Sequence, residues 1–336
     1  NEGDTIGAAL TTLLAQDYPN IEFVVVNDRS TDDPGAIVDK FAQKDPRVTA
    51  IHIAELPRGW LGKVHALDVG ARAATGQWLL FSDADVHFAS GALTKAIAHA
   101  VANELDHLAL LPEVKSGTFW QEVALNAFGG LFLMQTRAWK VADPKSDAFL
   151  GVGAFNLVRR EAFERTLGFA WLRMEIADDM GLGLLLKRSG ARSAVCLAPS
   201  DVHVLWYLSL PAMFAGLEKN LFGVMAHFSY PRFVVRLLGF FALLLGPLSA
   251  LFLSTVPYAW VATVIAYLSI VPGAFVLRRM GLVERVAPAL LLPLGLALIG
   301  AMAVRSTLYC LRRGGIVWRG TLYPAAELRA QQRVRL

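Results

Sequence analysis

The chain has 336 residues, of which 55% are hydrophobic and only 18% charged, and its formal net charge is +4. This composition is too apolar for a purely soluble protein, and the modest charge forms no basic stripe, which excludes a nucleic-acid-binding protein. The two cysteines, Cys196 and Cys310, lie far apart without metal-ligand spacing, so neither a disulfide framework nor a zinc site is expected.

The first part of the chain alternates predicted helices and strands. It opens at Asn1 with no initiator methionine, no signal peptide and no strand before the first helix, which indicates that the numbering starts inside a longer protein. Asp4 is expected to cap this helix, and strands are predicted over residues 21–26 and 48–53, each followed by a helical segment. The alternation favours a doubly wound α/β fold with a mostly parallel sheet.

The next predicted strand carries the main functional signal. Residues 78–85 read WLLFSDAD, an apolar run that ends in two carboxylates. Four apolar residues bounded by polar ones predict a strand buried on both faces, and ligands of open α/β sheets bind beyond the carboxyl ends of the strands. Asp83 and Asp85 would suit a hard divalent cation beside a phosphate, because such cations prefer oxygen ligands. A solvated turn after a strand is the alternative.

Three further features follow in the middle of the chain. A helix predicted from residue 118 to about 139 is apolar on all sides, so it is expected either to be buried in the core or to lie against lipid or an acyl acceptor. Glycines in the loop at residues 150–156 indicate close approach of the backbone to a ligand. Asp178 and Asp179 begin another predicted helix, where capping explains one carboxylate better than it explains both.

The last third of the chain is typical of a membrane protein. Residues 237–277 contain no charged residue and are long enough for two crossings, with a turn predicted at residues 254–257. A third uncharged run, residues 286–304, is interrupted by prolines and glycines. Arginines flanking the first two crossings and in the tail all favour one cytoplasmic side, so the third segment is expected either to be re-entrant or to break the charge rule.

Several short motifs occur in order within the first 190 residues. They are Asn1-Glu2, Gln16-Asp17-Tyr18-Pro19, Asn27-Asp28-Arg29-Ser30-Thr31-Asp32, Gly59-Trp60-Leu61-Gly62-Lys63, Asp83-Ala84-Asp85 and Asp178-Asp179. Together they resemble the membrane-bound family 2 glycosyltransferases of GT-A fold. The Gly59 to Lys63 loop and the tail at residues 314–320 are similar to the hopanoid-associated and carotenoid-type lipid glycosyltransferases. The resemblance implies a Rossmann-like GT-A domain followed by C-terminal transmembrane helices.

The resemblance also implies which residues would bind the nucleotide-sugar. Asp28 would accept a hydrogen bond from the nucleobase imide, and Glu2 would hold the base or the ribose. Lys63 would place a positive charge on the diphosphate beside Asp83. An Asx-turn with Ser30 is an equally good explanation of Asp28 from the sequence alone, and Asp32 is better explained as a helix cap.

For the chemistry, the resemblance implies a metal site and a general base. Asp85 and Asp83 would anchor Mg²⁺ or Mn²⁺, Asp85 more directly, to stabilise the leaving diphosphate. Asp179 would be the general base that activates an acceptor hydroxyl, which gives a single displacement with inversion. Asp178 would orient or cap.

These expectations define a domain organisation and a location. The predicted parts are a GT-A glycosyltransferase domain at residues 1–205, an interfacial amphipathic segment at 206–236, a transmembrane region at 237–311 and a basic tail at 312–336. The catalytic domain is expected on the cytoplasmic side of a bacterial inner membrane, where the membrane bilayer would present the lipid acceptor.

The expected activity is transfer of a single hexose from a nucleotide-sugar donor, UDP-linked, to a lipid hydroxyl. The chain lacks the Gln-x-x-Arg-Trp motif of processive synthases. A processive polysaccharide synthase and a catalytically inactive nucleotide- or lipid-binding membrane scaffold are the alternatives. A transporter is disfavoured because the uncharged spans lack intramembrane ionisable residues.

Overall fold

The structure is a computed structural model that describes residues 2–249, 252, 256 and 258–335. Contacts between elements divide the chain into two compact units. The first unit contains Asn1–Glu113, Thr136–Val204 and Gln331–Val334, and the second contains Val114–Gln135, Leu205–Ala330 and Arg335–Leu336. The chain therefore leaves the first unit after Val204 and returns to it near the carboxyl end.

The described residues form alternating strands and helices, followed by a mainly helical second half. The strands are β1 (Phe23–Asp28), β2 (Val48–Ile53), β3 (Trp78–Phe81), β4 (Val86–Phe88), β5 (His107–Leu111), β6 (Glu113–Lys115), β7 (Asn156–Arg159), β8 (Ser193–Leu197), β9 (Val202–Leu205), β10 (Gly315–Trp318) and β11 (Thr321–Pro324). The helices are α1 (Ile6–Leu14), α2 (Pro34–Lys44), α3 (Gly62–Ala73), α4 (Ala92–Ala102), α5 (Phe119–Thr136), α6 (Arg160–Glu164), α7 (Asp178–Arg188), α8 (Leu210–Leu217), α9 (Leu221–Ala226), α10 (Tyr230–Ser249), α11 (Ala259–Leu268), α12 (Ile270–Arg279), α13 (Val286–Leu290), α14 (Leu292–Arg313) and α15 (Ala325–Gln331).

The predicted strands of the first unit are confirmed, but the two predicted helix caps are wrong. Helix α1 is preceded by Thr5 rather than Asp4, and the carbonyl of Glu2 accepts the N–H groups of Thr5 and Ile6. Helix α2 follows Asp33 rather than Asp32. The Asp32 carboxylate instead accepts the backbone N–H of Gly3 at 2.8 Å, which joins the start of the chain to the end of the β1 turn.

The sheet is not mostly parallel as predicted. Strands β1 and β2 pair in parallel, and β5 and β8 do so within a four-stranded sheet of order β3-β7-β5-β8. Strand β7, however, lies between β3 and β5 and is antiparallel to both. A parallel neighbour would need a crossover connection, whereas β7 enters the sheet after the chain has passed through α5 rather than through a simple crossover helix.

The direction of β7 brings two loops together. Phe81 at the end of β3 pairs with Asn156 at the start of β7. In an antiparallel pair the carboxyl end of one strand faces the amino end of the other. The loop that carries Asp83 therefore lies beside the glycine loop at residues 150–156.

Two clusters of buried apolar side chains stabilise the first unit. One cluster joins β4, β5, β7 and β9 to α4, with Phe155 and Leu108 almost completely buried. A smaller cluster packs Ile6 and Leu10 of α1 against Val38 of α2. Burial of such side chains is the main favourable free energy of folding, at about 25 cal/mol per Å² of apolar surface.

In the second unit, helix α5 is neither fully buried nor fully exposed. Residues 121–125 and 127 are buried, residues 128–133 are half-buried and Met134 is 68% exposed. The buried end of α5 lies close to α14, since a Cβ atom added at Gly295 would be 2.4 Å from the carbonyl oxygen of Val123. A fully buried core helix, one of the two predictions, is therefore wrong for the carboxyl-terminal half of α5, and contact of that half with lipid or an acyl acceptor stays a prediction.

Two of the described helical segments are long and apolar enough to cross a membrane, Ala259–Arg279 and Leu292–Arg313. Buried core helices of other proteins share this length and composition. The uncharged run at residues 286–304 is interrupted at Leu291, between α13 and α14, and α14 then continues through Gly295 and Gly300 with Pro293 in its first turn. The turn predicted at residues 254–257 lies outside the described residues, apart from Val256.

Candidate functional site

The site lies in the first unit where the loop after β3 meets the loop before β7. Gly153 is the point of contact, because a Cβ atom at this position would be 2.6 Å from Oδ2 of Asp83 and 3.5 Å from Oδ2 of Asp179. The backbone N–H of Asp83 also donates to the Gly153 carbonyl at 2.8 Å. The glycine loop was predicted to approach a ligand, and in the structure it approaches the two carboxylates themselves.

Lys63 joins these carboxylates from the start of helix α3. Its Nζ lies 2.8 Å from Oδ1 of Asp83 and 3.3 Å from Oδ2 of Asp178. The Asp178 side chain is only 5% exposed, whereas that of Asp83 is 41% exposed. The ammonium group of Lys63 therefore connects the buried carboxylate of Asp178 to the solvent-accessible carboxylate of Asp83.

Asp179 is fixed by backbone donors. Its carboxylate accepts the N–H of Gly153 at 2.9 Å and that of Met180 at 2.8 Å. Its backbone carbonyl lies against Gly151, where a Cβ atom would be only 1.8 Å away. Glycine is required at position 151 because any side chain there would push the loop away from the first turn of α7.

A buried polar network within the sheet binds the backbone of Asp179. Asn156 donates from its amide to the backbone carbonyl of Asp179 at 3.3 Å and shares a 2.6 Å hydrogen bond with His107. The other ring nitrogen of His107 lies 3.1 Å from the hydroxyl of Ser193. Sequence reasoning missed these residues, although polar side chains at His107 and Asn156 within otherwise apolar strands could have indicated a buried network.

The electrostatics of the cluster favour carboxylates that hold protons more strongly than usual. Burial lowers the pKa of Lys63, but the carboxylates of Asp178, Asp83 and Asp179 more than offset this effect, so the pKa is raised. Burial raises the pKa of both Asp178 and Asp179, while Lys63 opposes the rise. Such shifts are typical of functional sites, where a base needs a pKa closer to neutrality than a free aspartate has.

Asp85 lies in the loop after β3, and the charges of neighbouring acidic side chains affect its pKa. Burial raises the pKa of Asp85 to about 6, and the negative charges of Asp83 and Glu2 add to the rise. Glu2 itself accepts from the Thr5 hydroxyl at 3.2 Å. The structure thus brings together three of the four acidic residues that the resemblance assigns to the donor and the metal, namely Glu2, Asp83 and Asp85.

Asp28 lies at the carboxyl end of β1, next to the start of α3. A Cβ atom at Gly62 would be 2.2 Å from Oδ2 of Asp28, so the carboxylate rests on the backbone that precedes Lys63. Arg29, with a φ of +51°, folds back on it through hydrogen bonds of 2.7 and 3.1 Å. The alternative Asx-turn of Asp28 with Ser30 is wrong, since the N–H of Ser30 donates to Asn27.

The acidic residues fit a hard divalent cation in their chemistry. Asp83 and Asp85 offer oxygen ligands. Burial is the main cause of the raised pKa of Asp85, and the negative charges of Asp83 and Glu2, which add to it, are charges that a cation would relieve. Within the part of the chain that the structure describes, no three His, Cys, Asp or Glu side chains form a cluster able to hold a metal alone. Mg²⁺ and Mn²⁺ sites that are completed by phosphate oxygens need few protein ligands.

His203 and His87 form a separate pair and are not part of this cluster. They are cross-strand neighbours in β9 and β4, and their rings stack at 5.1 Å with an angle of 9°.

The family model described as Glycosyl transferase family 2 matches residues 1–167. The match includes β1 with Asp28 and α3 with Lys63. It also includes β3 with the following loop that holds Asp83, and β7 with the glycine loop that precedes it. This first half of the chain is a family 2 glycosyltransferase domain. Its fold is the α/β GT-A fold.

Curated relatives support the same family. The chain is 33% identical over 101 residues to the uncharacterised glycosyltransferase EpsJ of Bacillus subtilis. The aligned segment covers 30% of this chain and 28% of the relative. It is 31% identical over 94 residues to WfaP of Escherichia coli, a UDP-Glc:alpha-D-GlcNAc-diphosphoundecaprenol beta-1,3-glucosyltransferase. This aligned segment covers 28% of this chain and 35% of the relative. The matched segments therefore span well under two thirds of these relatives.

One solved structure shares the fold over most of its length. The mannosyltransferase PcManGT from Pyrobaculum calidifontis, solved with GDP-Man and Mn²⁺, superposes with a TM-score of 0.51. The alignment covers 90% of this chain and 84% of that one at 20% identity. At this identity the similarity shows the fold alone.

Proposed function

We propose that this protein transfers one hexose from a UDP-sugar to the hydroxyl of a lipid or lipid-linked acceptor, with inversion at the anomeric carbon. The observation that carries the proposal is the cluster around Gly153, which joins an exposed carboxylate, a lysine and a buried pair of carboxylates. The relative WfaP supports the acceptor class, because its name specifies a diphosphoundecaprenol-linked sugar.

Asp179 is the proposed general base. Two backbone N–H groups orient its carboxylate, and its raised pKa makes it a better proton acceptor than an ordinary aspartate. No enzyme nucleophile is needed when a base activates the acceptor hydroxyl directly, so the reaction is a single displacement. Asp178 binds Lys63 and so keeps the ammonium group beside the carboxylate of Asp83.

Lys63, Asp83 and Asp85 are the proposed site for the donor diphosphate. Asp85 and Asp83 would hold Mg²⁺ or Mn²⁺, with Asp85 as the more direct ligand because Asp83 is also paired with Lys63. A bound metal ion would stabilise the negative charge that develops on the leaving diphosphate. Lys63 would add its own positive charge to the same oxygens. We assign the nucleobase to Asp28 and the base or ribose to Glu2.

The acceptor is proposed to come from a membrane. The candidate spanning helices and the lipid-linked acceptor of a relative support this part of the proposal. We place the first unit on the cytoplasmic side of a bacterial inner membrane, because nucleotide-sugars are cytoplasmic and the arginine bias favours that side. The similarity to hopanoid-associated and carotenoid-type enzymes makes a polycyclic or polyprenoid lipid alcohol the first acceptor to test.

The test is a transfer assay with the full chain purified in detergent. We expect nucleotide release and labelled lipid product with one sugar nucleotide when Mn²⁺ or Mg²⁺ is present, and NMR of the product should show the anomeric configuration opposite to that of the donor. Asp179→Asn should slow transfer by roughly 10² to 10⁴-fold, the usual contribution of a general base, while nucleotide binding is retained.

Two further variants make the test specific. Asp85→Ala should abolish the stimulation by metal. Asp147→Asn is the matched control, because Asp147 is an exposed surface carboxylate that forms an ion pair with Arg137, and the activity of this variant should equal that of the wild type. Full activity of Asp179→Asn, or inactivity of the wild type with every donor and acceptor offered, would contradict the proposal.

A further inference from the structure

The carboxyl-terminal residues of the chain bind a buried carboxylate next to the site. Glu175 is only 2% exposed, and its Oε2 accepts the backbone N–H groups of Arg333 at 2.6 Å and Val334 at 2.9 Å. Its Oε1 accepts the N–H of Ala177 at 3.2 Å. A buried carboxylate is costly unless hydrogen bonds satisfy it, so these donors are required wherever Glu175 stays charged.

Further contacts hold the same segment in place. The Arg333 guanidinium lies over the ring of Trp171 at 5.0 Å and donates to the Trp171 carbonyl at 3.3 Å. Arg173 donates to the side chain of Gln331 at 2.9 Å, and Val334 is 2% exposed. Residues 331–334 therefore pack as part of the first unit, although about 125 residues separate them in sequence from Val204.

The segment that receives this tail, residues 171–175, touches both halves of the site. The Arg173 carbonyl accepts the N–H of Leu61 at 2.7 Å, and Leu61 directly precedes helix α3 with Lys63. On the other side, Glu175 leads through Ala177 into α7. A Cβ atom at Gly181 would be 2.6 Å from Leu172 and 3.2 Å from Glu175, so the first turn of α7 rests directly on this segment.

We propose that residues 331–334 form a strap that positions the catalytic groups, with Glu175 as the positioning residue through which it acts. The strap holds residues 171–175, and these in turn fix the start of α3, which carries Lys63, and the start of α7, which carries Asp178 and Asp179. Its effect on turnover rests on the proposed function, whereas its effect on the geometry of Asp179 does not. The chain beyond the predicted membrane region thus completes the site.

A matched pair of variants isolates the backbone donors. Arg333→Pro removes the N–H that binds Glu175 together with the side chain, whereas Arg333→Ala removes only the side chain. The readout is amide hydrogen exchange at Gly153 and Met180, whose N–H groups donate to the Asp179 carboxylate. We expect exchange at both amides to accelerate at least tenfold in Arg333→Pro and far less in Arg333→Ala.

The kinetic readout separates positioning from general stability. We expect kcat of Arg333→Pro to fall roughly 10- to 100-fold, the cost of misplaced catalytic groups, while the KM for the donor changes less than threefold. Glu175→Gln keeps the shape of the side chain and should reproduce this pattern, and Glu327→Gln, an exposed carboxylate on α15, should behave as the wild type.

The outcomes are distinct for the two proposals. Equal exchange at Gly153 and Met180 in the proline and alanine variants, with Glu175→Gln unchanged, would overturn the strap. Accelerated exchange in Arg333→Pro together with full transfer activity in Asp179→Asn would support the strap and overturn the proposed base instead. Because exchange needs no substrate, the strap is decided even when no acceptor is known.

Discussion

Single glycines determine how closely the acidic groups of the site approach one another. We expect Gly153→Ala to move the Asp83 carboxylate, because the new methyl group would lie 2.6 Å from its Oδ2 and a side-chain end can shift. Transfer activity should fall roughly 10- to 100-fold with little loss of stability. Gly151→Ala should instead destabilise the fold by about 1–3 kcal/mol, since its methyl group would meet the backbone carbonyl of Asp179.

Thermal unfolding and transfer assays on the two variants check this contrast. Gly129→Ala on α5 is the control, because nothing lies within 4 Å of the added carbon, and it should be neutral or stabilising by up to about 1 kcal/mol. If Gly153→Ala unfolds as readily as Gly151→Ala, the Asp83 carboxylate is held more rigidly than the contact with Lys63 implies.

At the scale of the elements, His107 ties three strands of the sheet together. It lies on β5 and bonds Asn156 of β7 and Ser193 of β8, and burial lowers its pKa to about 4 from 6.5. The unfolded chain then binds more protons than the folded one between these pH values. The contribution of His107 to stability should therefore fall as the pH drops from about 6.5 to 4, by roughly 3 kcal/mol at the lower end.

The measurement is the unfolding midpoint of the wild type and of His107→Gln across this pH range. Asp178 has a raised pKa and acts in the opposite direction, so the informative quantity is the difference in slope between the two proteins. The variant should be less stable at pH 7 and should lose less stability on acidification. Parallel pH profiles would show that His107 is protonated in the folded state.

These elements also show how far the sequence could predict the site. The strand before Asp83 and the helix after Asp178 follow from apolar runs and polar boundaries, which are local signals. The direction of β7 is a non-local property, and with it the meeting of Gly153 with Asp83 was missed. The role of Glu175 could not be predicted either, because its partners lie about 160 residues away and an isolated glutamate carries no periodic signal.

At the scale of the whole molecule, the strap restricts the membrane topology. Arg333 and Val334 bind Glu175, so the carboxyl-terminal segment and the first unit must lie on the same side of any membrane. The number of crossings between Val204 and Gln331 is therefore even. This removes the conflict between the basic tail and three full crossings that the sequence alone presents.

Charge and burial then select which segments cross. We expect crossings by the uncharged run that begins in α10 and by α11 with α12, because this places the arginines before the first and after the second on one side. Helix α14 should not span, since 44% of an apolar 18-residue stretch of this helix is buried within the structure, compared with 11% for the corresponding stretch of residues 259–279. Of the two expectations for the third segment, re-entry or a local break of the charge rule, this topology favours re-entry.

Labelling of single cysteines with an impermeant maleimide tests the topology in oriented membrane vesicles. With Cys196 and Cys310 replaced by serine, we expect Glu55→Cys, Met280→Cys and Arg335→Cys to react from one side, and Tyr258→Cys from the other. If Tyr258→Cys shares the side of Glu55→Cys and Met280→Cys does not, α14 crosses in place of α10, and the parity required by the strap still holds. Only a reaction of Arg335→Cys from the side opposite to Glu55→Cys would contradict the even number of crossings. The hydrogen bond between Arg333 and Glu175 could not then exist in the membrane.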